Sequence, residues 1–138
     1  VNLLFKFYDS KINSLVENDI RFKFVGSKTN LPTNLIELFD KMEKETSKCS
    51  SITLNLAFNY GGRLEIVEAC NSLIKEGKKE ITEDDIQNNL YTSDQPDVDL
   101  MIRTSGEQRL YNFLIWQNSY SEFVFVEEKP TLDRSKRF

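Results

Sequence analysis

The chain has 138 residues, 39% of them hydrophobic and 29% charged, with no histidine and a formal net charge of −4. That is one domain's worth of sequence, long enough for a real core, and its composition excludes a disordered chain. The acidic balance excludes nucleic-acid binding through a broad basic surface, although a local anion site stays open to it.

Leu3, Leu4, Phe7, Ile12, Leu15 and Val16 recur at helical spacing and predict a helix over about residues 1–18. Val1 to Phe5 reads as the interior of such a helix, so further sequence is expected before it. Residues 21–25 alternate and meet Gly26, which predicts a strand closed by a turn. Pro32 then opens a second helix, where its missing N–H costs nothing. Leu35, Leu38, Phe39 and Met42 form its apolar face, and Glu37 and Lys41 form an i,i+4 pair. Residues 51–59 predict a second strand. A third helix over about 63–76 carries Ile66, Val67, Cys70, Leu73 and Ile74 on one side and stops at Gly77. Thr82 with Asp85 starts a short helix through Leu90. A third strand over 99–103 leads into a helix through Trp116, and residues 123–126 supply a fourth strand.

Strands alternating with helices imply βαβ units, hence an α/β fold with a largely parallel sheet and helices on both faces. Ligands of such sheets bind outside the carboxyl ends of the strands. The loops over 59–63 and 103–109 both fall at that edge.

Arg103 ends a strand, and Arg109 stands near the predicted start of the next helix. Guanidinium forks match phosphate oxygens bidentately, Thr104 and Glu107 fit a capping box, and Gly106 lets backbone N–H groups approach a ligand. The same arginines can equally pair with Glu107, Asp97 or Asp99 as structural salt bridges. Gly61 and Gly62 remove side-chain bulk from a tight strand-to-helix turn, which suits close helix packing better than a phosphate loop. Asn59 can bond backbone or ligand. Glu122 is by default a solvated carboxylate; at the ligand edge it can give one oxygen to Mg²⁺. Tyr111, Phe113, Trp116 and Tyr120 read as core and interface packing. Cys49 and Cys70 lack metal-ligand spacing and read as buried thiols, which suits a reducing compartment.

Two stretches are specific to a family. Leu54-Asn55-Leu56-Ala57-Phe58-Asn59-Tyr60-Gly61-Gly62-Arg63 with Glu65-Ile66 is one. The other is Asp99-Leu100-Met101-Ile102-Arg103-Thr104-Ser105-Gly106-Glu107-Gln108-Arg109-Leu110, continuing through Asn112 to Gln117 and Tyr120 to Phe123. Together they closely resemble the cis-prenyltransferases, the undecaprenyl and dehydrodolichyl diphosphate synthases, over almost the whole chain. The resemblance implies repeated condensation of isopentenyl diphosphate onto an allylic diphosphate, such as farnesyl diphosphate, with cis geometry and with Mg²⁺. It implies that Arg103 and Arg109 hold the isopentenyl diphosphate, and that Asn59, Gly106, Leu110 and Tyr111 belong to the same substrate site. Glu122 is then a metal ligand. It also implies a homodimer, a cytoplasmic enzyme with peripheral membrane association through its lipid product, and, in a eukaryote, the endoplasmic reticulum.

The chain departs from the family pattern in places. Tyr111 stands where the family usually has a diphosphate-contacting serine, and Lys129-Pro130-Thr131 stands where a tryptophan-proline usually follows the last strand. The family's segments carrying the catalytic aspartate are not in this sequence. Residues 1–138 are therefore expected to be one partial domain with N-terminal strands missing, carrying the isopentenyl diphosphate site and inactive alone. The competing expectation is a non-catalytic partner subunit of a prenyltransferase complex.

Overall fold

Two alternating phenylalanines, Phe22 and Phe24, organise the first half of the chain. In the computed structural model, which describes residues 11–104, 106 and 108–127, both are buried on strand β1 (Ile20–Val25). The predicted first helix is present over 11–17 (α1) and adds Ile12 and Leu15 to the same core. Residues 1–10 lie outside the described residues. Helix α2 (Thr33–Glu45) starts after Pro32, whose carbonyl accepts from the N–H groups of Leu35 and Ile36 at 3.0 and 3.2 Å. Its buried positions are Leu35, Leu38, Phe39 and Met42, the four its spacing picks out. Burial of each such side chain is worth about 1.5–3 kcal/mol. Phe39 stacks on Phe24 with ring centroids 4.7 Å apart. On its outer face Lys41 lies 3.8 Å from Glu45.

Strand β2 (Ile52–Ala57) pairs with β1 in parallel, from Ile20↔Ile52 to Val25↔Ala57. The N–H groups of Phe22 and Phe24 go instead to side chains at the end of α2, donating to Thr46 Oγ1 at 2.9 Å and Glu43 Oε1 at 2.8 Å. Thr46 is fully buried, and its hydroxyl donates a hydrogen bond to the Met42 carbonyl at 2.9 Å. Backbone donors next to a sheet are thus satisfied without another strand. Val1–Tyr60, which holds these elements, forms one compact unit, and Gly61–Phe138 forms a second.

The second unit contains helix α3 (Gly62–Lys75), helix α4 (Glu83–Gln87), strand β3 (Leu100–Arg103) and strand β4 (Glu122–Phe125). The capping box expected at Thr82 is formed: its hydroxyl accepts from the Asp85 N–H at 3.2 Å, and Asp85 accepts from the Thr82 N–H at 2.9 Å. Lys78, 2.5 Å away, and these Thr82 bonds hold the Asp85 carboxyl down at about 2. Strands β3 and β4 pair in parallel, from Leu100↔Glu122 to Arg103↔Phe125. Each unit therefore carries a parallel pair with helices, as an α/β chain should. Among the described residues the four strands form two two-stranded sheets.

The expected apolar side of α3 needs correction. Val67 and Ile74 are 53% and 60% exposed, and the buried face is Gly62, Glu65, Ala69 and Leu73. That stripe also has helical spacing, but its bulk comes from a buried carboxylate that hydrophobicity alone does not mark. Cys49 is buried and Cys70 half-buried, both as free thiols.

Gly26 follows β1 at φ +152°, and a Cβ there would sit 2.0 Å from the Phe58 carbonyl oxygen. Gly26→Ala is expected to cost more than about 2 kcal/mol. Urea unfolding of the protein measures this; an unchanged midpoint would mean that Phe58 does not approach so closely.

Candidate functional site

Helix α3 begins with two glycines because another segment lies against them. The Gly62 N–H donates to the Asn112 carbonyl at 2.7 Å, and the Arg63 N–H donates to Asn112 Oδ1 at 2.9 Å. A Cβ on Gly61 would meet Asn112 Nδ2 at 2.9 Å, and one on Gly62 would meet Ile115 at 3.0 Å. The first two donors of α3, normally open at a helix start, are consumed by Asn112. The glycine pair thus serves packing, and this helix end is not an anion site.

The same docking overturns the helix predicted from residue 104 to Trp116. Residues 108–110 are irregular and 111–120 run as turns and bends, with Tyr111, Asn112 and Leu114 at φ of +49°, +62° and +46°. No right-handed helix passes through such residues. What the segment gains instead is tertiary: Asn112 caps α3, the Trp116 Nε1–H donates to Gln87 Oε1 at 2.7 Å, and Gln117 reaches Glu65. The helix N-terminus expected beside Arg109 is therefore absent, and the capping box of Thr104 falls on Glu107, outside the described residues. Phe113 and Trp116 are half-buried as packing residues, whereas Tyr120 is 94% exposed.

Glu65 stands in the first family stretch, where the sequence assigns it no role. It is 1% exposed and accepts from the Tyr91 N–H at 2.9 Å and from Gln117 Nε2 at 3.1–3.2 Å. Gln117 Nε2 also donates to Thr92 Oγ1 at 3.0 Å. Glu65 lies in the first turn of α3, where the helix dipole favours negative charge. One cluster thus joins α3, the turn after α4 and the end of the 108–120 segment.

Arg103 occupies the carboxyl end of β3. Its carbonyl accepts from the Val126 N–H at 2.8 Å, and the Gly106 N–H donates to the Val126 carbonyl at 3.2 Å. The guanidinium lies over the Tyr111 ring, 4.6 Å from the centroid, and its Nε is buried with no hydrogen-bond partner among the described residues. A cleft of about 280 Å³ opens here, lined by Met101, Ile102, Arg103, Thr104 and Phe113. Arg109 and Leu110 are exposed on the loop that follows, and Gly106 takes φ +68°. Among the described residues neither Arg103 nor Arg109 forms the conceivable structural salt bridge with Asp97 or Asp99.

The other sequence candidates are placed differently. Asn59 follows β2 at left-handed φ +50°, and its Nδ2 donates to the Ser27 and Thr29 carbonyls at 2.8 and 3.2 Å. Its position is thereby fixed by backbone contacts within the first unit. Glu122 begins β4 opposite Leu100, at the amino end of the strand pair, so it does not share the carboxyl edge with Arg103. Parallel pairing sets the first residue of one strand beside the first residue of the other. Glu122 is exposed, and no cluster of three or more metal-ligating side chains occurs among the described residues. A lone carboxylate fits one position on a Mg²⁺ ion that takes its other oxygens from water and phosphate. A larger cleft of about 600 Å³ is lined by Glu83, Asp84, Asp97, Trp116 and Tyr120, among others. Its three carboxylates repel anions, so size does not make it the phosphate site. No helix among the described residues is long and apolar enough to cross a membrane.

Comparison with known proteins converges on one family. A family model described as putative undecaprenyl diphosphate synthase matches residues 1–135. The isoprenyl transferase of Fusobacterium nucleatum is 47% identical over 127 residues, covering 92% of this chain and 55% of its own length. That of Thermotoga maritima is 40% identical over 132 residues, covering 93% and 57%. Among solved structures, a probable undecaprenyl diphosphate synthase from Campylobacter jejuni superposes with TM-score 0.82 at 36% identity, over 92% of this chain and 60% of the other. Lavandulyl diphosphate synthase from Lavandula x intermedia, in complex with dimethylallyl diphosphate, gives 0.83 at 33% identity, over 92% and 58%. The chain spans about half the length of the curated relatives it matches.

Replacing Glu65 leaves a buried backbone N–H and a buried amide short of an acceptor, each costing about 1–3 kcal/mol. Glu65→Ala is expected to destabilise the protein by about 2–4 kcal/mol in urea unfolding at pH 7. An unchanged midpoint would show that the cluster does not hold the segment.

Proposed function

Since the chain belongs to the undecaprenyl diphosphate synthase family of prenyltransferases, we propose that it carries the isopentenyl diphosphate site of a cis-prenyltransferase. The whole protein would condense that substrate onto an allylic diphosphate such as farnesyl diphosphate. Residues 1–138 would then be one partial domain, binding isopentenyl diphosphate but not turning it over alone, and the whole protein would be a homodimer working in the cytoplasm against the membrane that takes its product.

The observation that supports this most is Arg103: a cation at the carboxyl end of a parallel strand, beside a cleft, with a buried donor that nothing among the described residues satisfies. An unsatisfied buried donor on a charge is costly, and a phosphate oxygen removes that cost. Arg109 adds a second fork from the exposed loop, and Gly106 and Leu110 belong to the same proposed substrate site. Tyr111 enters the proposed site through its ring against Arg103, and Asn59 is a further proposed substrate residue, in the first unit. Holding isopentenyl diphosphate fixes its double bond against the allylic carbon, a positioning effect as much as an electrostatic one. Glu122 would hold Mg²⁺, which supplies positive charge to ease departure of a diphosphate.

Charge-assisted hydrogen bonds contribute about 1.5–3 kcal/mol each. Arg103→Ala and Arg109→Ala in the whole protein are each expected to raise KM for isopentenyl diphosphate about 10- to 100-fold. Steady-state assays with radiolabelled isopentenyl diphosphate check this; unchanged KM in both variants contradicts the assignment.

A further inference from the structure

The aromatic ring beneath Arg103 is not an accident of packing. Tyr111 holds a left-handed backbone, φ +49°, that a bulky side chain rarely adopts. It is 54% exposed, so burial does not explain the conformation. The guanidinium of Arg103 lies over its face at 4.6 Å, inside the range of an attractive cation–π contact.

We propose that Tyr111 is a positioning residue that holds the Arg103 guanidinium in plane for the diphosphate, through the face of its ring and not through its hydroxyl. A guanidinium carries all five N–H donors in its own plane. Stacking therefore restrains the fork from one side while consuming none of the donors. A carboxylate partner would restrain the same fork by occupying two of them. Arg103 has no such partner among the described residues, and its buried Nε stays unsatisfied until an acceptor arrives. A serine, which the resembling family usually carries at this position, offers a hydroxyl to the ligand but no surface for the guanidinium. The chain thus substitutes indirect support for direct contact.

The register of the segment makes the contact reproducible. Asn112, the next residue, is fastened to the start of α3 by both its carbonyl and its side chain. Val126 holds the Arg103 carbonyl at the end of β3. Ring and guanidinium therefore each extend from a fixed backbone anchor, which brings the two together.

This inference rests on the reading of Arg103 as a diphosphate ligand, and calorimetric titration of isopentenyl diphosphate into the whole protein, without allylic substrate, separates the two. Tyr111→Phe keeps the ring and is expected to hold Kd within about twofold of the parent. Tyr111→Asn removes the ring while tolerating left-handed backbone, and is expected to raise Kd about 3- to 10-fold. Tyr111→Leu, which keeps apolar bulk without a π face, serves as the second ring-free variant. In an Arg103→Ala background the Tyr111→Asn effect is expected to vanish, which purely structural damage would not do. If Tyr111→Phe is as harmful as Tyr111→Asn, or if the Tyr111→Asn loss persists undiminished without Arg103, the positioning role is overturned. If Arg103→Ala leaves Kd unchanged, the diphosphate reading itself fails.

Discussion

Much of the second unit depends on one contact, the seating of Asn112 on the first turn of α3. A helix start presents several unpaired N–H groups, and burying them without acceptors is costly. Asn112 supplies two acceptors at once, its carbonyl for Gly62 and its side chain for Arg63. To do so it must take a left-handed backbone, and α3 must begin with residues that lack a Cβ. The glycine pair, the broken helix over 108–120 and the placement of Tyr111 are three consequences of this one demand. Glu65 and Gln117 fasten the far end of the segment, so it is held from both sides.

That arrangement separates structural polarity from ligand-directed polarity. Asn112, Glu65 and Asn59 spend hydrogen bonds inside the protein. Arg103 does not, and it sits beside a cleft at the strand edge where parallel sheets receive ligands. In a chain with net charge −4 and no histidine, a local cation of this kind is what an anionic substrate can recognise. The larger cleft near α4, rich in carboxylates, has the opposite electrostatic sense.

The elements governed by local physics were legible beforehand. Leu35, Leu38, Phe39 and Met42 announce α2 by spacing alone, and Thr82 with Asp85 announces the capping box. Alternation of strands with helices foretold parallel pairing. The misses come where a residue answers to something distant in sequence. Residues 108–116 have helical periodicity, but Asn112 obeys the start of α3, not its own neighbours. Glu65 stands in a family stretch with no role the sequence assigns, and only the fold brings Tyr91 and Gln117 around it. Glu122 was weighed as part of the ligand edge, and only the pairing register reveals that it opens its strand beside Leu100. The asparagine at 112 is itself a signal, since asparagine tolerates left-handed backbone better than most residues.

The central claim is that a diphosphate comes to rest on Arg103 and Arg109. Nitrogen-15 NMR of the arginine side chains in the whole protein addresses it directly, because each Nε–H reports its own hydrogen bonding. On saturation with isopentenyl diphosphate, the Arg103 and Arg109 Nε–H signals should shift while that of Arg21, on β1, stays in place. Unmoved Arg103 and Arg109 signals at a ligand concentration that supports prenyl transfer would contradict the account.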